Sequence, residues 1–306
     1  MTEMSRDMPS VAELARRALD AGRKISDIVL MDEVSESGAP VSDVRRKMGD
    51  ALNVMRSAVE RGIHNNLESM EGLVGGDARK VEKARAQGRL IGGTVLDLAI
   101  ARAMACAEVN AAMGRIVAAP TAGSCGVLPG VLLTVAEAVG ASDDELIAAL
   151  FTAAGVGKVI AARASLSGAE GGCQAEIGSA ACMAAAAAVE LAGGGPDEVC
   201  HGGAIALKGL LGLVCDPVGG LVEVPCVKRN ATAAAVALAS ADMALAGIKS
   251  VIPIDEVISA MGKVGRMLPC ALRETAEGGL AETPTGRRLA LMSGREDRVE
   301  MALGRG

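Results

Sequence analysis

The sequence predicts an all-α fold, a single helical domain cut by Gly/Pro-rich loops. Three observations predict it. Half of the 306 residues are hydrophobic, yet there is no Trp, no Tyr and a single Phe, Phe151. A core without aromatic rings is filled by Ala, Leu, Val, Met and Gly, and side chains that small let helices approach closely. Helix-start signals recur along the chain, and Ala-rich runs favour helix by about 0.5 kcal/mol or more per residue over β-branched alternatives. Strand signals are scarce: LVEVP, Leu221–Pro225, is the best of them, and it is short.

The elements follow in chain order. Ser10 to Glu13 forms a capping box that opens ELARRALDAGRKISDIVL. Asp32 to Pro40, DEVSESGAP, is polar and rich in breakers and is expected to be a linker or loop. Ser42 starts a helix that Gly62 is expected to stop. GLVGGDARK, Gly72–Lys80, is a glycine turn with Asp77 as a cap; it lacks the spacing of a phosphate-binding loop. Helices are then expected over Thr94–Met113, from a second capping box at Ser142–Glu145, and over Ala175–Leu191, Pro196–Leu211, Asn230–Leu245 and Ile254–Val264. The chain is expected to divide into an N-terminal helix and linker, residues 1–40, and a helical domain, residues 41–306, that carries the candidate functional residues.

Composition excludes several classes of function. The net charge is −6 and no long basic run occurs, which argues against nucleic acid as a partner. The opening MTEMSRDMPS has no apolar block of a secretory signal, so a cytoplasmic location is expected. Ile116–Ala136 is uncharged and long enough to span a bilayer. Pro120, Gly123, Gly126, Pro129 and Gly130 interrupt it, so a buried loop and helix start are expected, not a membrane segment.

Eight cysteines without a signal point to reduced thiols. Cys106, Cys182 and Cys200 lie in Ala-rich helical runs, where cysteine acts as a small hydrophobe. Cys125, Cys173, Cys215, Cys226 and Cys270 lie beside Gly or Pro, or close to them. Loop backbone with free amides is what an iron–sulfur cluster needs, because its thiolates must converge and peptide N–H groups must reach the sulfides. No C-x-x-C occurs, so neither a zinc ribbon nor a ferredoxin run is supported, and spacing alone leaves the use of these thiols open.

The words around the thiols are more specific than their spacing. SLSGAEGGCQAEIGSAA, GLLGLVCDPVGGLVEVPCVKRN, VAAPTAGSCGVLPG and LRETAEGGLAETPTG occur in order from about Val54 to Gly286. This set resembles the iron–sulfur-dependent L-serine dehydratases, or L-serine ammonia-lyases, and within them the α subunit. The resemblance implies a 4Fe-4S cluster held by Cys173, Cys215 and Cys226. It implies deamination of L-serine to pyruvate and ammonia, an amino-acid degradation that feeds gluconeogenesis. It also implies a separate β subunit, because single-chain members carry an additional small domain ahead of this one. Glu71 stands where relatives often have Ser, and Cys125 and Cys270 where a small residue is expected.

Several side chains are candidates for the chemistry. Thr121, Gly123, Ser124 and Gly126 of TAGSCG can seat a substrate carboxylate or form a plain glycine turn. G-x-S-x-G fails here, since Ala122 holds the first glycine position. Ser165 and Ser167 can cap a helix or bind substrate, with capping favoured. Glu170 and Glu176 flank Cys173, and either can act as a base. Lys208 lacks the phosphate cup a pyridoxal site needs. Asn230 is expected to cap a helix, and Lys228 and Arg229 to face water. Structural roles are expected for His64 and His201, and the base for the α-proton stays unassigned. Two readings compete with serine deamination: desulfuration of cysteine by a related cluster lyase, and a non-catalytic thiol or cluster redox sensor.

Overall fold

The computed structural model of the chain describes residues 10–292. Thirteen helices are found among them: α1 Val11–Ala21, α2 Ile25–Ser37, α3 Val41–His64, α4 Asp77–Ala86, α5 Gly93–Ala111, α6 Val127–Val139, α7 Asp143–Arg163, α8 Gly168–Gly171, α9 Ser179–Leu191, α10 Pro196–Lys208, α11 Cys226–Leu245, α12 Ile254–Met267 and α13 Pro284–Met292. Among the described residues there is no strand, only a single bridge pairing Cys215 with Arg273. The all-α expectation holds. LVEVP is not a strand: Glu223 turns inward to bind a neighbouring loop, and Val224 O accepts from Val218 N at 2.9 Å within the same turn.

Helix α9 explains how an aromatic-free core packs. Its run from Ser179 to Glu190 is buried on every side, and α6, α7, α10 and α11 surround it. Small side chains set the spacing. Gly62 does not stop α3; it lies inside the helix because a Cβ there would stand 2.3 Å from Ala105 O of α5. The apolar segments Ala122–Val139 and Asp143–Arg163 are long enough to cross a membrane by length and composition, and each is more than half buried in the helix stack.

Other boundaries differ for local reasons. The first expected helix is two, because Gly22 takes a left-handed φ of 60° and ends α1. Asp32 to Ser37 is helical: α2 runs on to Gly38, and its apolar side, with Ile25, Ile28 and Val29 buried, packs against α7. Both capping signals are used, Ser10 Oγ accepting from Glu13 N and Ser142 Oγ from Glu145 N. Helix α4, which the glycine turn concealed, is capped by Glu108 and not by Asp77. The buried Glu108 accepts from Asp77 N at 2.7 Å and Ala78 N at 3.3 Å.

Candidate metal centre

Three loops carry the cysteines: Cys215 acts on the Cys173 thiol, and Cys226 lies near enough to feel the Cys173 charge. The first is the turn after α8. Gly172 has φ 74°, and a Cβ there would stand 2.6 Å from Leu268 Cδ1 and 2.9 Å from Leu213 O, so glycine alone fits. The turn presents Cys173 toward the second loop, 209–217. Gln174 fastens the two: its N–H donates to Leu213 O and its Oε1 accepts from Gly212 N, each at 2.9 Å. The fully buried Gln174 also donates Nε2 to Gly171 O at 2.9 Å and Met261 O at 3.2 Å.

Cys226 comes from the third loop and is the first residue of α11, where the helix dipole favours a thiolate. Its approach is fixed by Glu223, which accepts from Ser69 Oγ and from Glu71 N and Leu73 N, both at 3.2 Å. The glycine turn 72–76 is thereby tied to the lead-in of Cys226.

The thiols act on one another's charge. Cys215 donates its S–H to Cys173, which holds Cys173 below the usual thiol range and pushes Cys215 well above it. Arg229 reinforces the lowering at Cys173. Burial, with the Cys173 charge next, pushes Cys226 up to about 12. Arg229 does not face water with Lys228. It turns inward, donating Nη1 to Val214 O and Nη2 to Asp216 Oδ1, both at 2.8 Å. Asp216 Oδ2 in turn accepts from Leu280 N at 2.8 Å, so one buried carboxylate joins the cysteine loop to residues 279–282.

Two carboxylates face the thiols. Oxygens of Glu176 and Glu274 and the sulfur of Cys215 lie within 4.8 Å of one another. Glu274 has the left-handed φ of 65°, and its N–H donates to Cys215 O at 2.8 Å, while Cys215 N donates to Leu272 O at 2.9 Å. Gly168 forms the floor. A Cβ there would stand 2.7 Å from Glu176 Oε2, 3.1 Å from Cys215 Sγ and 3.1 Å from Glu274 Oε2. Burial pushes the Glu176 carboxyl up, the Thr121 hydrogen bond opposes this, and the Glu274 charge adds to it.

The TAGSCG loop meets this group through Thr121, which donates to Glu176 Oε1 at 2.7 Å. Ser124 is fully buried, with its hydroxyl 3.1 Å from Thr121 Oγ1. The Ser124 amide donates to Thr121 O, and the Gly126 amide to Asn230 Oδ1. Gly123 lies against Glu176, with 3.3 Å between its virtual Cβ and Oε1. Asn230 is not a helix cap; it points inward, fully buried, and also donates to Gly123 O at 2.8 Å and Cys226 O at 2.9 Å. Ser167 occupies the N-cap position of α8 without a side-chain cap bond. Of the two glutamates flanking Cys173, Glu170 is exposed and held by Ser165, and Glu176 faces the thiols.

The other candidates lie elsewhere. Cys106, Cys125 and Cys182 are buried, Cys200 half-buried and Cys270 exposed. His64 is exposed at the end of α3. His201 Nδ1 accepts from Ser250 N at 3.4 Å, and Lys208 donates to Ser250 O.

Thiols, cradle and loops thus coincide with the four quoted motifs, and the match to known proteins takes in the thiols and reaches into the fourth motif. The model of the family described as serine dehydratase alpha chain matches residues 20–281. The chain belongs to the serine dehydratase alpha chain family. Relatives of this alpha chain include "Probable L-serine dehydratase, alpha chain" of Bacillus subtilis, 51% identical over 280 residues, covering 92% of this chain and 93% of that one. "L-serine dehydratase, alpha chain" of Peptoniphilus asaccharolyticus is 42% identical over 279 residues, covering 90% and 96%. "L-serine dehydratase 2" of Escherichia coli is 36% identical over 283 residues, covering 89% of this alpha chain but 61% of that longer one.

Proposed function

We propose that this chain is the cluster-bearing α subunit of an L-serine dehydratase, which converts L-serine to pyruvate and ammonia together with a separate β subunit. The family supports the reaction, and the relatives named alpha chain, with the longer single-chain relative, support the second subunit.

The convergence of Cys173, Cys215 and Cys226 carries the reading. Three soft thiol donors on separate loops fit a 4Fe-4S cluster. So does the Gly168 cradle, which a single methyl would fill. Arg229 supplies positive charge against which Cys173 ionises. A cluster held by three thiolates supplies one iron with an exchangeable position, a Lewis acid for the substrate hydroxyl.

The remaining assignments concern side chains of this chain. Thr121 orients Glu176 toward the thiols, and Ser124 orients Thr121. Gly123 leaves room beside Glu176, and the uncommitted Ser167 hydroxyl stands next to Gly168. We assign Thr121, Gly123, Ser124 and Ser167 to the seat of L-serine, with Thr121 and Ser167 in contact and the other two shaping it. Glu176 and Glu274 place negative charge where the amino acid's ammonium group is attracted, and of the two Glu176 is the better shielded from water.

Anaerobic co-purification with the candidate β chain, scored for iron, sulfide and pyruvate formation from L-serine, tests the proposal. Iron-loaded protein that forms pyruvate supports it, and colourless protein without iron contradicts it.

A further inference from the structure

A cavity borders the cysteine turn, with a volume of about 320 Å³. Its wall includes Ser165, Glu170, Gly171, Met261, Arg266 and Arg273, and none of the thiols. Arg273 Nε is buried and has no acceptor within the protein. Among the described residues neither Arg273 nor Arg266 has a carboxylate partner, although Glu170 lines the same space. Glu170 is held instead by the Ser165 hydroxyl. The Arg266 and Arg273 guanidinium groups line the cavity and carry N–H donors that no carboxylate among the described residues takes, and these can serve an acceptor that comes from outside. The charges are separated: two guanidinium forks and one carboxylate face a common space without pairing with each other. A ligand with an anionic and a cationic end complements that arrangement, and a planar carboxylate suits the forks.

We propose that this cavity binds a free amino acid as its zwitterion, with the carboxylate on Arg266 and Arg273 and the ammonium group on Glu170. The site is separate from the thiols but shares backbone with them. Gly171 O and Met261 O, in its wall, both accept from Gln174, the residue after Cys173. Arg273 is bridged through its backbone to Cys215. An occupant of the cavity therefore touches the turn that carries Cys173 and the residue whose backbone pairs with Cys215.

Equilibrium dialysis of radiolabelled L-serine against the anaerobically purified Cys173→Ala α chain with its β chain, a background expected to have no turnover, tests the site. One bound L-serine per α chain is expected, removed by the further Arg266→Gln/Arg273→Gln pair. Binding with the arginine pair equal to that of the Cys173→Ala parent overturns this proposal and leaves the thiol site standing, since that site is already disabled in this background. Should the arginine variant fail to fold, the exposed Glu170→Gln decides in the Cys173→Ala background. It is expected to weaken L-serine about tenfold and leave pyruvate, a carboxylate without an ammonium group, unchanged. No change for L-serine, or equal change for both, overturns the proposal.

Discussion

Thr121 donates a hydrogen bond of 2.7 Å to Glu176, residues 55 positions apart that lie on opposite walls of the candidate site. This bond joins the TAGSCG loop to the turn carrying Cys173, and it fixes which Glu176 oxygen is left to face Cys215 and Glu274. Thr121→Val removes the donor at nearly constant volume. Turnover of L-serine is expected to fall about tenfold or more, with recovery in Thr121→Ser, and steady-state kinetics on the three proteins checks it. Equal turnover in the Val and Ser variants would contradict the role.

Gly168→Ala is expected to act on the site and not on the fold. Its methyl would stand within 3.1 Å of Glu176, Cys215 and Glu274, in the space assigned to the cluster and substrate. Far-ultraviolet circular dichroism should match wild type while iron content falls severalfold. An iron-replete Gly168→Ala protein would show that the cradle holds something else.

Much of this was legible in the sequence, and the remainder depends on long-range contacts. Alanine-rich runs named the buried helices, since a segment such as Ser179–Glu190 has no polar face to expose. The limits of α2 and α3 escaped pattern reading, because packing overrode local breakers: Ser35 and Ser37 were carried along by an apolar face, and Gly62 serves a helix crossing. The thiols were found through the words around them. Asn230, Arg229, Gln174 and Glu274 were misjudged or missed, because each looks like an ordinary polar residue until its partner arrives from another loop. The one signal for Glu274 was its place inside the LRETAEGG motif.

Asn230 holds the TAGSCG loop and the start of α11 together with three bonds, to Gly126 N, Gly123 O and Cys226 O. Asn230→Ala strands these groups, and each buried unpaired group costs about 1–3 kcal/mol. A loss of about 2–4 kcal/mol in unfolding free energy is expected by urea titration. A loss below about 0.5 kcal/mol would mean that the loop does not depend on this amide.

Glu108 gives the fold a pH dependence away from the thiols. Burial holds its carboxyl above the usual carboxylate range, Asp77 and Ala78 amides oppose this, and the Asp77 charge adds to it. A carboxyl with a raised folded pKa binds its proton more tightly in the folded state. Its stabilising contribution is therefore complete below the unfolded value and is lost as pH rises through the folded value. Wild type should lose stability relative to Glu108→Gln as pH rises from about 4 to about 7. A flat or rising difference between the two denaturation curves would contradict the assignment.

The convergence of Cys173, Cys215 and Cys226 on one cluster is tested most directly by iron and sulfide analysis of anaerobically purified wild type and the three Cys→Ala variants. Wild type is expected to hold four of each per α chain with visible absorbance, and every variant to lose that absorbance together with pyruvate formation. A variant that keeps both would contradict the account.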